Sequence, residues 1–330
     1  MIQKKELLNE MKNSKALKSL AVFGKKRFYN IYHRARLIKT EFPSEIWIEN
    51  TNCCNASCVM CPREKHTRAQ GFMDFSLFEK LAKEISHFGN IVKRVHLHNY
   101  GEPLLDRDLA RRIRTAKDCG IKHTYIVTTA SLLTVAKSKE IIEAGLDEMK
   151  ISFYGTDQKT YNDTMVGLDF YKTLTNVADF FKTRKKIGKK NPRVVLQYLP
   201  TDSNKSKTED FFRILKPLIE EEVGDCFNIF ELHNYGSGRS YVKLGDITRI
   251  CHFPWRTMVI LHDGKAVLCS PDYNGLQVVG DTNTNTIKEI WNGNKYKKVR
   301  QDFKKLEYQN YSVCKECTAV RETMYPKINR

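Results

Sequence analysis

The sequence predicts an α/β fold, with parallel βα units over residues 44–245 and a small cysteine-bearing module over residues 246–330. Three observations carry this expectation. After Pro43, short β-type runs alternate with amphipathic helical patterns, the signature of strands joined by helical crossovers. From Arg249 onward that rhythm gives way to a hairpin signal and short helical pieces. Most of the ten cysteines fall into two groups toward opposite ends of the chain. In a reducing compartment such groups read as metal ligands or catalytic groups before disulfides.

Residues 1–43 read as a basic helical extension. Leu7, Leu8, Met11, Leu17, Leu20, Val22, Phe23, Phe28 and Ile31 supply the apolar spacing, and packing against the main domain is the expected use of that face. Strands are expected at Glu45–Glu49, Arg94–His98, His123–Val127, Glu148–Ser152, Arg193–Tyr198 and Phe227–Leu232. Helices are expected around 76–88, 107–119, 134–144, 169–187 and 208–222. Right-handed crossovers fit a doubly wound sheet or a partial barrel, and periodicity does not choose between them. In the last module Met258–Leu261 and Ala266–Leu268 flank His262-Asp263-Gly264-Lys265, an Asp-Gly hairpin. A loop rich in Gly, Asn and Thr follows, then helices at 286–291 and 295–304. A core of that size is marginal, and a metal staple would support it.

Composition sets outer limits. A chain of 330 residues with 41% hydrophobic and 11% aromatic residues can bury a sizeable core. There is no apolar run of bilayer length, and Met1–Glu10 lacks the apolar region of a secretory signal. A cytoplasmic location is expected, with the basic extension offering a means of resting on anionic lipid. The net charge of +18 is concentrated locally: residues 1–42 hold eleven Lys/Arg against three acidic residues. A second run spans Arg184–Lys190, at an expected helix end where cations suit the dipole. Solvated basic faces account for this as well as a phosphate-binding surface does. No RNP-type aromatic motif accompanies the charge, so nothing points to a nucleic-acid partner.

The first cysteine group is Cys54-Asn55-Ala56-Ser57-Cys58-Val59-Met60-Cys61, with spacing C-x-x-x-C-x-x-C after the first strand. Three thiolates from one loop can hold three irons of a [4Fe–4S] cube and leave the fourth open. Structural zinc needs four closed ligands, and ferredoxin spacing differs. The motif resembles the signature of the radical S-adenosylmethionine (radical SAM) superfamily, whose open iron binds the amino and carboxylate groups of S-adenosylmethionine. That resemblance implies a partial (β/α)6 TIM-type barrel, with the site at the C-terminal ends of the strands. Tyr100-Gly101-Glu102-Pro103 resembles the family's G-G-E element, which implies that Glu102 receives the methionine ammonium. By the same resemblance Ser152 contacts ribose and methionine carboxylate, Gln197 is a further cofactor contact, and the backbone of Met60 faces adenine. Thr128-Thr129-Ala130-Ser131 departs from the T-N-G of many relatives. Cys53 reads as a bystander beside the motif.

The second group is Cys251, Cys269, Cys314 and Cys317. Its chemistry suits zinc or a fully ligated [4Fe–4S] cluster. The pattern Cys251…Trp255…Asp263-Gly264…Cys269…Gly280…Ile290-Trp291-Asn292…Arg300…Cys314-x-x-Cys317 resembles the auxiliary-cluster module of radical SAM enzymes in its shortened twitch form, related to the longer SPASM form. This implies a second [4Fe–4S] cluster with four cysteine ligands. With Tyr100–Leu105, the pattern is similar to the 2-deoxy-scyllo-inosamine dehydrogenase branch of the family.

The resemblance implies three cofactors, two [4Fe–4S] clusters and S-adenosylmethionine, together with an electron donor such as flavodoxin or ferredoxin. A 5′-deoxyadenosyl radical would take hydrogen from an alcohol carbon of a sugar, aminocyclitol or related saccharide, a small polar substrate that the basic charge allows to be phosphorylated or lipid-linked. The hydroxyl would lose its proton, an electron would leave for the auxiliary cluster, and a ketone would form. His98, His233, Arg239 and Asp272 are candidate proton acceptors. Asp272 leads because a matching acidic residue follows the second auxiliary cysteine in that branch. The alternatives are a sugar or aminoglycoside epimerase, which needs a thiol such as Cys226 or Cys119 in the pocket, and a peptide-modifying maturase. The maturase reading is weakened because residues 1–43 are too short for a winged-helix leader-binding domain.

Overall fold

The computed structural model describes residues 37–201, 204–230 and 243–324. The expected helices before residue 37, and the candidates His233 and Arg239, lie outside them. Six strands follow in chain order: β1 Glu45–Ile48, β2 Arg94–His96, β3 Thr124–Thr128, β4 Glu148–Ser152, β5 Arg193–Tyr198 and β6 Cys226–Ile229. Each pairs in parallel with the next. Crossover helices α1 Phe75–Ser86, α2 Leu109–Asp118, α3 Val135–Glu143, α4 Phe170–Ile187 and α5 Thr208–Leu215 connect them.

The C-terminal strands do not form a sheet of their own. β7 Thr257–Ile260 pairs in parallel with β1, and β8 Lys265–Val267 and β9 Val278–Asp281 continue antiparallel from it. The result is one nine-stranded sheet in the order β9-β8-β7-β1-β2-β3-β4-β5-β6. β6 and β9 are its edges, so the sheet stays open, as a partial barrel requires. Helices α6 Ile287–Asn292 and α7 Asn294–Lys304 pack against the module, and Lys243–Ile247 forms an antiparallel ribbon with Arg321–Met324.

Alternation along the strands explains the layering. Ile46, Ile48, Val95, Leu97, Ile126, Met149, Ile151, Val194 and Leu196 join Phe78, Leu81, Ile113, Ile141, Phe180 and Phe211 of the helices in one buried core. The residues between them point to the opposite, inner face, because successive strand side chains alternate. Helix starts are marked by polar caps. Asp74, Thr134 and Asp169 accept backbone N–H groups at α1, α3 and α4, and Thr286 with Glu289 makes a full capping box on α6.

Two elements differ from expectation. The helix expected over 208–222 stops at Leu215 and continues only as short 3-10 turns at Lys216–Leu218 and Glu221–Val223. Pro217 has no N–H to donate, so the i to i−4 ladder cannot continue through it. Conversely, β9 forms where a loop was expected. A Cβ at Gly280 would come within 2.6 Å of Ile290, so glycine here lets α6 lie against the strand.

Candidate active site

The loop after β1 is tied down before it reaches the first cysteine. Thr51 Oγ1 donates to the Gly71 carbonyl (2.7 Å) and accepts from the Cys53 N–H (3.0 Å). The Asn52 amide donates to Ala69 O and accepts from Gly71 N–H, both at 2.9 Å. Ser57–Cys58 then pairs antiparallel with Met165–Val166, and the Cys61 N–H donates to the Cys58 carbonyl at 3.0 Å. Burial pushes the Cys54 thiol up to about 11, and the nearby Glu102 carboxylate adds to this. Burial pushes Cys58 higher still, followed by the charges of Cys61 and Cys54. The three thiols therefore share one partly buried neighbourhood, and only a strong positive charge would release their protons together.

Gly101 presses on this loop from below. Its φ is +138°, and a Cβ there would lie 2.4 Å from the Thr51 carbonyl oxygen and 2.9 Å from that of Cys53. The close approach lets the Glu102 N–H donate to Cys53 O at 2.8 Å. Glu102 is almost fully buried at 1% exposure. Oε1 accepts from Leu104 N–H (3.1 Å) and the Thr128 hydroxyl (2.6 Å), while Oε2 accepts from the N–H and hydroxyl of Thr129 (both 2.8 Å). Burial raises its pKa and these donors oppose the rise. Ala130 has a left-handed φ of 59°. The departing segment thus still delivers its donors to Glu102.

Ser152 and Gln197 meet through a residue that sequence reading did not single out. The Tyr154 hydroxyl donates to Ser152 Oγ (3.0 Å) and accepts from Gln197 Nε2 (2.6 Å), and Asn228 Nδ2 donates to Gln197 Oε1 (3.2 Å). Burial pushes the Tyr154 phenol up to about 12, with Cys58 and Cys61 nearby adding to it. Met60 is buried in the core beside the cysteine loop.

At the module, burial pushes the Cys251 thiol up to about 12. Cys269 and Cys314 are raised further, by burial first and then by neighbouring thiols of the same four-cysteine set. Cys317 N–H donates to Cys314 O (3.1 Å), and Cys251 N–H donates to the buried Tyr308 hydroxyl (2.8 Å). Asp272, 1% exposed, closes the adjoining turn: Oδ1 accepts from Leu276 N–H (2.8 Å) and Oδ2 from Gln277 N–H (2.7 Å). Among the described residues no three His, Cys, Asp or Glu side chains converge as a single metal ion needs. Four soft thiolate donors suit an iron–sulfur cluster.

The two cysteine groups are bridged by charges unforeseen from sequence. Glu49, at the end of β1, accepts two bonds from Arg68 (2.8 and 2.9 Å), and His262 N–H of the module hairpin donates to it at 3.1 Å. Burial alone would raise the Glu49 pKa, but His262 and Arg68 outweigh it and hold it below the usual carboxylate range. His66 stacks on Tyr273 (5.3 Å) and meets Tyr100 edge-on (5.3 Å), closing the seam with aromatic rings. A Glu followed nineteen residues later by an Arg carries no sequence signal. Tyr154, two residues beyond Ser152 on the same alternation, was the more findable omission.

Residues 48–211 match the radical SAM superfamily, and residues 251–318 match the SPASM iron–sulfur cluster-binding domain. Among curated relatives, a probable GTP 3′,8-cyclase of Sulfurisphaera tokodaii is 30% identical over 61% of this chain, which spans 61% of that protein's length. The S-adenosyl-L-methionine-dependent 2-deoxy-scyllo-inosamine dehydrogenase of Niallia circulans is 21% identical, over 84% of this chain and 93% of its own length. Among solved structures, BtrN in complex with AdoMet and 2-DOIA has a TM-score of 0.58 at 20% identity, covering 85% of this chain and 94% of that one. Streptococcus suis SuiB bound to S-adenosylmethionine has a TM-score of 0.61 at 13% identity, covering 91% and 78%. At these identities the two structures speak for the fold alone. The chain belongs to the radical SAM superfamily and carries a SPASM iron–sulfur cluster-binding module.

Proposed function

We propose that the protein dehydrogenates an alcohol carbon of a sugar, aminocyclitol or related saccharide. One observation carries this: the module groups four thiols, Cys314 buried and the other three half-buried, a complete donor set that would leave an auxiliary cluster no vacancy for substrate and suit it to accept an electron. The similarity to the dehydrogenase, extending over 93% of its length, supports the same reading.

Cys54, Cys58 and Cys61 would hold the first cluster, and Cys251, Cys269, Cys314 and Cys317 the second. Bound there, the clusters and S-adenosylmethionine would supply a 5′-deoxyadenosyl radical and a sink for one electron. Glu102, held by four donors, would receive the methionine ammonium without reorganising. Ser152 and Gln197, braced by Tyr154, would orient ribose and carboxylate, and Met60 would offer its backbone beside adenine. Asp272 is the proposed acceptor of the hydroxyl proton; its turn bonds keep the carboxylate at one place beside the module's thiols.

The test is anaerobic turnover of the reconstituted enzyme on a panel of aminocyclitols and sugars. The expected result is a ketone formed one-for-one with 5′-deoxyadenosine. Alanine at the four module cysteines should abolish the ketone and spare 5′-deoxyadenosine. Asp272→Asn should slow ketone formation by about 10²–10⁴-fold with iron content unchanged; lost iron would instead mark Asp272 as a turn residue only.

A second reading, epimerisation, is favoured by one placement. Cys226 starts β6 in register with Val195, while Phe227 packs with Phe211 and Phe212 of α5. Its thiol is therefore on the inner face, where a hydrogen donor would be needed. A product with inverted configuration and one solvent deuterium, lost in Cys226→Ala, would select that reading over dehydrogenation.

A further inference from the structure

The inner face of the sheet carries charge that the proposed chemistry does not use. Register places Glu45 beside Arg94 and Glu148 beside Arg193, with Lys150 one inner-face position further along β4. Glu148 is shared by Arg193 (3.0 Å) and Arg94 (3.4 Å), and His123 also approaches it (3.5 Å). Glu45 is met by Arg256 (3.4 Å) and by His96 (3.6 Å). Among the described residues no carboxylate pairs with Lys150.

Lys150 also has a companion. Its Nζ lies 6.0 Å from the Tyr125 ring centroid, Arg94 Cζ lies 5.1 Å from the same centroid, and the His98 ring lies 5.2 Å from it. His98 is only 9% exposed, and its Nδ1 has no hydrogen-bond partner. With the His96 ring 5.0 Å from it as well, four nitrogen-bearing groups on β2 and β4, and just beyond, surround one aromatic ring, and both histidines carry buried ring nitrogens without a hydrogen-bond partner. Burial lowers the pKa of Lys150, and it keeps His98 neutral, well below the ordinary imidazole value. An ammonium that no carboxylate contacts directly, with Glu148 acting on it only from further off, and an orphaned ring nitrogen are both costly inside a protein. An anion from outside would satisfy both.

We propose that this inner-face cluster receives a phosphate monoester on the substrate, with Lys150 and His98 as its specificity-determining contacts. The Lys150 ammonium supplies a positive charge and the His98 ring a hydrogen-bond donor, a pairing that suits the several acceptor oxygens of a phosphate monoester. The substrate class is then a phosphorylated saccharide. This rests on the saccharide reading above and adds to it the charge of the substrate.

The experiment uses holoenzyme reconstituted without oxygen in the presence of S-adenosylmethionine, with inorganic phosphate and myo-inositol 1-phosphate as probes and myo-inositol as the neutral control. Binding is read by calorimetry, without turnover. Wild type should bind both phosphates and prefer the ester to myo-inositol. Lys150→Gln and His98→Phe should each weaken phosphate binding about tenfold, and Lys150→Arg should retain it with unchanged iron content. Absence of phosphate binding overturns the proposal. So does equal binding by Lys150→Gln, or a loss produced instead by Lys189→Gln on the exposed basic run, which would assign the phosphate to the outer surface. Phosphate bound as expected, with turnover yielding an epimer, would remove only the dehydrogenase reading. Oxidation of a neutral aminocyclitol without phosphate binding would remove only this one.

Discussion

Gly101 and Ala130 show how single backbone positions govern the site. Gly101 lies where a methyl group would run into the Thr51 and Cys53 carbonyls, and neither oxygen belongs to a flexible side chain that could give way. Gly101→Ala should therefore displace the cysteine loop. Iron in the anaerobically reconstituted protein should fall by roughly half, from about eight to about four per chain, while the module keeps its share. Ala130 presents the converse case. Its φ of 59° costs an L-residue about 1–2 kcal/mol, part of which glycine recovers against its own larger unfolded-state entropy. Ala130→Gly should raise the melting temperature by about 1–3 °C, measured by calorimetry, with Glu102 still held by Thr128 and Thr129. Residue types in this part of the chain were open to sequence reading, and their conformations were not. The spacing of Cys54, Cys58 and Cys61 lies in one loop and is local information. Three of the four donors on Glu102 come from Thr128 and Thr129, 26 and 27 residues away, and nothing local announces them.

At the level of elements, the inner ends of β1, β2, β4 and β5 form a charged row around Glu148. Burial alone would raise this carboxyl, but hydrogen bonding to His123 and the charges of Arg94 and Arg193 outweigh it and hold the pKa at about 2. Because the folded-state value lies below the unfolded one, the contribution is fully present above about pH 4.5 and is lost as pH falls toward about 2. Allowing for screening of two half-exposed arginines, it is on the order of 2 kcal/mol. Glu148→Gln should lose about that much in urea denaturation at pH 7, and the gap to wild type should begin to close only below about pH 4.5. A gap that stays constant down to pH 3 would rule out the ionic origin. Elements with strong periodicity, such as α4 and β4, were legible because one face must be apolar to reach the core. β9 was hidden because Val278-Val279-Gly280-Asp281 is short and contains a glycine, whose purpose is visible only once Ile290 sits above it.

For the whole molecule, the module is an extension of the barrel sheet: β7 pairs with β1 and carries β8 and β9 outward. Glu49, Arg68 and His262 lock that junction, joining the end of β1, the segment after the first cysteine group and the module hairpin. The Glu49 side chain is fully buried and that of Arg68 10% exposed, so removing one partner strands a charge. Arg68→Gln should destabilise the protein by about 3–5 kcal/mol. It should also expose the hairpin around His262–Gly264 to limited proteolysis before the rest unfolds. Protection equal to wild type would show that the strand pairing alone holds the module in place.

Local rules sufficed for the cysteine spacings, the turn signals and the apolar periodicities, and these determined the α/β class, the strand order along the chain and the proposed ligands of two clusters, because each depends on neighbours within a few residues. Tertiary structure alone decided that the C-terminal hairpin joins β1, that Tyr154 ties Ser152 to Gln197, and that Lys150 and His98 share one aromatic floor. Those relations join residues far apart in sequence whose burial and charge balance exist only after the sheet has formed.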